Sequence, residues 1–200
     1  MKCDIKKFFA SVDHEILLEI LSSHIPDQDI IWLLDNIIGS YHAKEKRGTG
    51  LPLGNPTSQL FANVYMNVFD QWVKHRLKVK KYIRYADDFV FFGSDMEKVG
   101  LLVESVREFL FKELGLTLHP KKIIQKTLSS GMDFLGWVNF ADYKQLRRKT
   151  KERMFKKIYD NPKEEIFQSY LGLLSHGNAY KIERELLNLY WLSKDKYTYY

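Results

Sequence analysis

Three aspartates define the chemistry open to this chain. Asp87 and Asp88 are adjacent inside Lys81-Tyr82-Ile83-Arg84-Tyr85-Ala86-Asp87-Asp88-Phe89-Val90-Phe91-Phe92, and Asp4 stands in Lys2-Cys3-Asp4-Ile5 near the start. In the longer stretch two short runs of β-forming residues flank the acids. That pattern reads as a hairpin with Ala86, Asp87 and Asp88 at or beside its turn. Paired aspartates are also ordinary turn residues. Here, though, acids held on a rigid strand pair repel one another unless a cation sits between them. The third carboxylate, Asp4, occurs in a matching context, at the end of a short strand.

The surrounding elements must bring those two stretches together. Asp13 caps a helix carrying Ile16, Leu17, Ile20 and Leu21, and Ile30, Ile31, Leu34, Ile37 and Ile38 mark a second that Gly39 and Ser40 end. Lys44 to Gly50 is a basic, glycine-containing connection or hairpin tip. In Leu51-Pro52-Leu53-Gly54-Asn55-Pro56-Thr57-Ser58-Gln59 a cap residue precedes proline at the first helical position, a strong helix start. Gly54 allows close approach to the backbone there, and the free N–H groups of Thr57, Ser58 and Gln59 tolerate an anion. The same stretch also serves as a well-capped core helix, its apolar face being Leu60, Phe61, Val64, Tyr65, Val68, Phe69 and Trp72.

Beyond the hairpin, Val99 to Leu114 gives another amphipathic helix, stopped by Gly115. Leu116-Thr117-Leu118 alternates as a strand, Lys121-Lys122 follows, and Asp133 to Val138 is strand-like with a bend at Gly136. From about Asp142 the composition turns basic and helical, which places a domain boundary at 141/142. Pro162 separates two helices there, and Gly172 to Asn178 leads into a third. Residues 1–141 thus run strand, helices, hairpin, helix, strand. This is the order of a split βαβ antiparallel sheet of ferredoxin type, an α+β fold with helices on one face. In it the first strand lies beside the hairpin, with Asp4 facing Asp87 across one ladder.

Composition bounds the partners. The 200 residues are 45% hydrophobic and 28% charged, enough for a real core. Apolar runs are too short to span a bilayer, and no apolar signal segment follows Met1. Cys3 is the single cysteine, so neither a disulfide framework nor a cysteine zinc site is available, and the default setting is the reducing cytoplasm. The net charge is +6, with Lys144, Arg147, Arg148, Lys149, Lys151, Arg153, Lys156 and Lys157 crowded into one stretch, which suggests a polyanionic partner.

Read together, the motifs resemble those of reverse transcriptases. Asp4-Ile5-Lys6-Lys7-Phe8-Phe9, Leu53-Gly54 with Ser58-Gln59, Tyr85-Ala86-Asp87-Asp88, Gly115-Leu116 with Lys121-Lys122, and Phe134-Leu135-Gly136-Trp137 follow the family's order. The resemblance implies a polymerase palm over residues 1–141 and a helical thumb over 142–200, where Ser169-Tyr170-Leu171-Gly172 and His176-Gly177-Asn178 are similar to bacterial members. It implies an RNA template, a DNA or RNA primer, deoxynucleoside triphosphates and, in retroelements, a small basic accessory protein; no membrane is involved.

The implied cofactor is a pair of Mg²⁺ ions, and an all-oxygen set of Asp4, Asp87 and Asp88 suits Mg²⁺ rather than zinc. By resemblance Asp4 and Asp87 bridge the metals, the Ile5 carbonyl adds a ligand and Asp88 plays a secondary part. Lys122 matches the residue that protonates pyrophosphate, with Lys121 one slip away. Phe9 matches the gate against a ribose 2′-hydroxyl, core packing being the alternative for it and for Phe8. Leu53, Gly54, Ser58 and Gln59 line the nucleotide, and Phe134, Leu135, Gly136 and Trp137 grip the primer.

Leu53 and Gln59 stand where most members carry glutamine and proline, a pattern similar to the error-prone enzymes of diversity-generating retroelements. The family's fingers precede its first aspartate, and this sequence opens three residues ahead of Asp4. The expectation is therefore palm and thumb without fingers, a fragment or a truncated product. The competing readings are a silent palm that only binds nucleic acid, a nucleotide cyclase, which lacks its Gly-Gly-acid-acid-Phe signature here, and an RNA-recognition module. The last fits poorly with adjacent Phe91 and Phe92, which point to opposite faces of a strand.

Overall fold

In the computed structural model, which describes residues 1–197, three short strands form the sheet that carries the acids. They are β1 (Lys2–Asp4), β2 (Tyr82–Tyr85) and β3 (Asp88–Phe91), in the order β1-β3-β2 with antiparallel neighbours. Tyr85 is paired with Asp88, so the hairpin turn is the two residues Ala86 and Asp87. Tight hairpin turns favour left-handed backbone, and Ala86 adopts it at φ 51° although it is not glycine. The turn also corrects one expectation. Asp4 lies opposite Asp88, not Asp87, because Asp87 is spent in the turn itself.

On the far side of β1 the chain returns at Leu116–Ile124. Isolated bridges join Ile5 to Leu118 and Lys2 to Ile124, and the backbone between them loops out. The strand expected at 116–118 is thus reduced to one bridge, at Leu118, but its place beside β1 is the one a split βαβ sheet requires.

Side-chain alternation sorts the two faces of the sheet. Cys3, Phe89 and Phe91 are fully buried against helices, while Lys2, Asp4 and Asp88 belong to the other face. The helices before the hairpin are α1 (Phe8–Ser11), α2 (His14–Ser22), α3 (Gln28–Gly39) and α4 (Pro56–His75), and α5 (Met96–Leu114) follows it. Asp13, Asp27, Asn55 and Asp95 each accept backbone N–H groups in the first turns of α2 to α5. Gly115, at φ 60°, ends α5 in the left-handed conformation that glycine adopts without strain. Phe69 of α4 sits among Trp72, Tyr82, Phe89 and Phe109, with ring centroids 5.0–6.0 Å apart. Each such fully buried side chain contributes about 1.5–3 kcal/mol of transfer free energy. The α3 helix departs from its expected role. Only Ile38 is buried, while Ile30, Trp32, Leu33 and Ile37 stay exposed.

Residues Met1–Gln125 form one compact unit and Lys126–Tyr200 a second. The second holds β4 (Met132–Phe134), β5 (Trp137–Asn139) and β6 (Lys144–Leu146), an antiparallel meander, then α6 (Arg148–Asp160), α7 (Glu164–Leu174) and α8 (Tyr180–Tyr197). The break falls at 125/126 rather than at the change of composition near 142. The reason is that Trp137 and Leu146 from the meander bury into the same core as Met154, Ile158, Phe167, Leu186 and Tyr190 from the helices. Gly177, between α7 and α8, is required by close approach. A Cβ there would stand 2.4 Å from the Trp137 ring. Among the described residues no helix is long and apolar enough to cross a membrane.

Candidate active site

The sheet's open face gathers charge at one end. Asp4 closes β1, Asp88 opens β3 directly opposite, and Asp87 precedes it in the turn. Each strand acid has a lysine. Both carboxylate oxygens of Asp4 accept hydrogen bonds from Lys122 Nζ, at 3.1 and 3.0 Å. Lys122 reaches Asp4 because it lies in the loop between the two bridges, and it is Lys122 rather than the neighbouring Lys121 that does so. Asp88 Oδ2 accepts from Lys2 Nζ at 3.2 Å, while its Oδ1 is buried with no hydrogen-bond partner among the described residues. Burial first, and then the negative charges of Asp4 and Asp88, hold the Asp87 carboxyl above its usual range, against a backbone hydrogen bond and Lys122.

This arrangement fits a hard cation in kind. All donors are oxygen, one buried carboxylate oxygen lacks a partner, and the turn acid is disfavoured as an anion until positive charge arrives. Among the described residues, however, no three acidic, histidine or cysteine side chains are gathered at metal-holding spacing. The ammonium groups of Lys2 and Lys122 supply the neutralising charge instead. Cys3 takes no part, since it is fully buried and burial pushes its thiol up to about 12.

The remaining expected residues are placed as follows. Ile5 is buried where β1 meets Leu118. Phe8 belongs to the core, and Phe9, half-buried, meets it edge-on at 5.2 Å. Leu53 is 80% exposed, so it packs beneath nothing in its own unit. Gly54, at φ 86°, has open surroundings, and Gln59 is exposed. Ser58 departs from expectation: it faces inward on α4, 2% exposed, and its hydroxyl has no hydrogen-bond partner among the described residues. Phe134 to Trp137 lie in the second unit, where Leu135 and Gly136, at φ 53° and 83°, make the β4–β5 turn. Leu135 is exposed, but Trp137 is a core residue under Gly177. The sequence reading had no role for Lys2, whose signal is its position two before Asp4, on the same face of the strand. Nor had it one for Arg84, which anchors the hairpin turn to α4 through Asp70.

In the second unit, α6 buries Thr150, Met154 and Ile158 and exposes Lys149, Arg153, Lys156 and Lys157, which make no ion pair among the described residues.

Comparison with known proteins adds the family. Residues 1–139 match the model of the family described as reverse transcriptase (RNA-dependent DNA polymerase). The chain is similar to the Retron Ec83 reverse transcriptase of Escherichia coli, at 28% identity over 68% of this chain and 46% of that protein. It is similar also to Protein YkfC of Escherichia coli K12, at 26% identity over 66% of this chain and 44% of that one. The chain spans less than half the length of the curated relatives it matches. Among solved structures, apo telomerase from Candida tropicalis shares the fold, with a TM-score of 0.63 at 16% identity over 98% of this chain and 41% of that one.

Proposed function

The chain belongs to the reverse transcriptase family, and on that premise we propose that it is the catalytic palm and thumb of an RNA-directed DNA polymerase. The observation that carries the proposal is the convergence of Asp4, Asp87 and Asp88 at one end of the sheet, with Lys122 on Asp4. Asp4 and Asp87, with the Ile5 carbonyl, are the proposed ligands of two Mg²⁺ ions. Such ions, when bound, activate the primer 3′-oxygen and neutralise the departing pyrophosphate.

The chain's own residues do the rest. Lys2 fixes the Asp88 carboxylate and keeps it from turning away from the site. Lys122, held on Asp4, would give a proton to the leaving phosphate as negative charge develops there. Phe9 sits five residues after Asp4 with part of its ring exposed, which supports its role against a 2′-hydroxyl. Leu53 offers shape but no hydrogen bond to the nascent pair, which supports an error-prone enzyme of the retroelement type. The exposed cations of α6 suit the phosphates of a template–primer duplex. RNA template, DNA or RNA primer, deoxynucleoside triphosphates and a small basic accessory protein are the proposed partners, in the cytoplasm.

The test is extension of a labelled primer on a defined RNA template by this chain, with Mg²⁺ and deoxynucleotides. Template-directed extension that Asp87→Asn abolishes is expected. Equal incorporation by Asp87→Asn would overturn the proposal, as would tight duplex binding with no incorporation, which is what a silent palm would give.

A further inference from the structure

Asp87 sits in a turn with no strand pairing of its own, so something else must fix its direction. Arg84, two residues before Ala86, has a side chain only 9% exposed and spends every arm of its guanidinium locally. Nε donates to Asp70 Oδ1 at 2.8 Å and Nη2 to Asp70 Oδ2 at 2.6 Å, a two-point fork onto α4. Nη1 donates to the Ala86 carbonyl at 3.0 Å and to Asn63 Oδ1 at 3.4 Å. Tyr82, two residues earlier on the same face of β2, donates its hydroxyl to Asp70 Oδ1 at 2.8 Å. One cation therefore ties the hairpin turn to the long helix that also bears the Leu53–Gln59 segment at its start.

Stability alone does not account for this arrangement. Taking an arginine and an aspartate out of water is costly, and well-packed apolar residues in their place are often as stabilising. What apolar residues cannot do is grip a carbonyl. The Ala86 carbonyl belongs to a residue in left-handed backbone, a conformation costing a non-glycine residue about 1–2 kcal/mol, so an ungripped turn has reason to relax.

We propose that Arg84, braced by Asp70 and Tyr82, is the positioning residue that fixes the Ala86-Asp87 turn and aims the Asp87 carboxylate. Its catalytic consequence rests on the polymerase reading, but its hold on the turn does not. A lysine cannot replace it, because a single ammonium cannot fork onto Asp70 and reach the Ala86 carbonyl together.

The test compares the parent chain with Arg84→Lys and with an apolar triple, Arg84→Met, Asp70→Leu and Tyr82→Phe, which removes both charges and the stranded hydroxyl. Amide hydrogen exchange and RNA-templated primer extension are read on each. In the triple, exchange at Tyr85 and Asp88, the pair that closes the turn, should quicken about tenfold while Cys3 and Phe89 in the adjoining ladder keep their protection. At saturating Mg²⁺ the kcat should fall about 100-fold with KM for the nucleotide unchanged, since the group displaced would hold metal and is not itself a contact to the nucleotide. Arg84→Lys should show the same local pattern at smaller size, and it decides the matter if the triple does not fold. Unchanged turn exchange and unchanged kcat in a folded variant would overturn the proposal, as would loss of protection spread through the whole sheet. A parent chain that extends no primer would overturn the polymerase reading instead, leaving the exchange data to judge the clamp.

Discussion

Replacing Asp87 by asparagine should stabilise the protein in metal-free buffer and destabilise it, relative to the parent, in Mg²⁺. Burial and the nearby charges of Asp4 and Asp88 raise the Asp87 carboxyl above its usual range. A folded-state pKa above the unfolded one means the folded chain holds that proton more tightly. The group's contribution is therefore most favourable at low pH and is lost as pH rises from the unfolded value, about 3.9, through the folded one. At neutral pH the ionised Asp87 counts against the fold, and Asp87→Asn removes that cost. Bound Mg²⁺ reverses the order. An ion at ten times its dissociation constant adds about 1.4 kcal/mol to the parent, or about 3–6 °C in Tm for a chain of this size. The variant, lacking the turn carboxylate, should respond by less than half of that. The assay is a thermal melt of both proteins across a Mg²⁺ titration at constant ionic strength, so that general screening does not mimic binding. Two crossing curves are expected. A parent Tm indifferent to Mg²⁺, together with an Asp87→Asn variant less stable at every concentration, would refute the reasoning.

Leu53→Gln should leave Tm unchanged, because the position is largely exposed, and should lower the error rate on a defined RNA by about 5-fold or more, as an added hydrogen bond contributes about 1 kcal/mol; sequencing the products checks it, and equal errors at every template base would contradict it. Changing Lys149, Arg153, Lys156 and Lys157 together to alanine should cut the salt dependence of RNA–DNA duplex binding, lowering the log–log slope by about 3. Titrations at several salt concentrations measure that slope. Gly177→Ala should cost about 1–3 kcal/mol by driving a methyl group into the Trp137 ring, whereas Gly172→Ala, in the interior of α7 with nothing within 4 Å of its Cβ, should gain about 0.4–1 kcal/mol. Paired denaturant melts compare them directly.

Local chemistry made much of the fold legible. The hairpin at Asp87-Asp88, the caps at Asp13 and Asn55, the stop at Gly115 and the break at Pro162 are all written in residues that act on their own neighbours. Long-range choices were not so written. The placing of Asp88 opposite Asp4 depends on the turn being two residues long, a matter of one position that β-propensity does not decide. Periodicity marked α3 as amphipathic but could not say that its apolar residues would find so little to pack against. Leu60 and Ser58 illustrate the same limit at the start of α4: spacing put Leu60 on the apolar face and the resemblance put Ser58 beside the nucleotide, but packing turned the leucine outward and the serine inward. The basic composition after position 142 concealed the fact that Trp137 and Leu146 belong to the helical core. Arg84 and Asp70, fourteen residues apart, carry no local pattern that pairs them.

Metal-directed cleavage tests most directly whether acids from two distant stretches form one cation site. Fe²⁺ would take the place of Mg²⁺ in the presence of ascorbate and peroxide, and the radicals it generates would cut the backbone close to where it is bound. Cuts beside Asp4-Ile5 and at Ala86-Asp87-Asp88, suppressed together by added Mg²⁺ and lost together in Asp87→Asn, are predicted. Cuts confined to one of the two stretches, or elsewhere in the chain, would contradict a shared site.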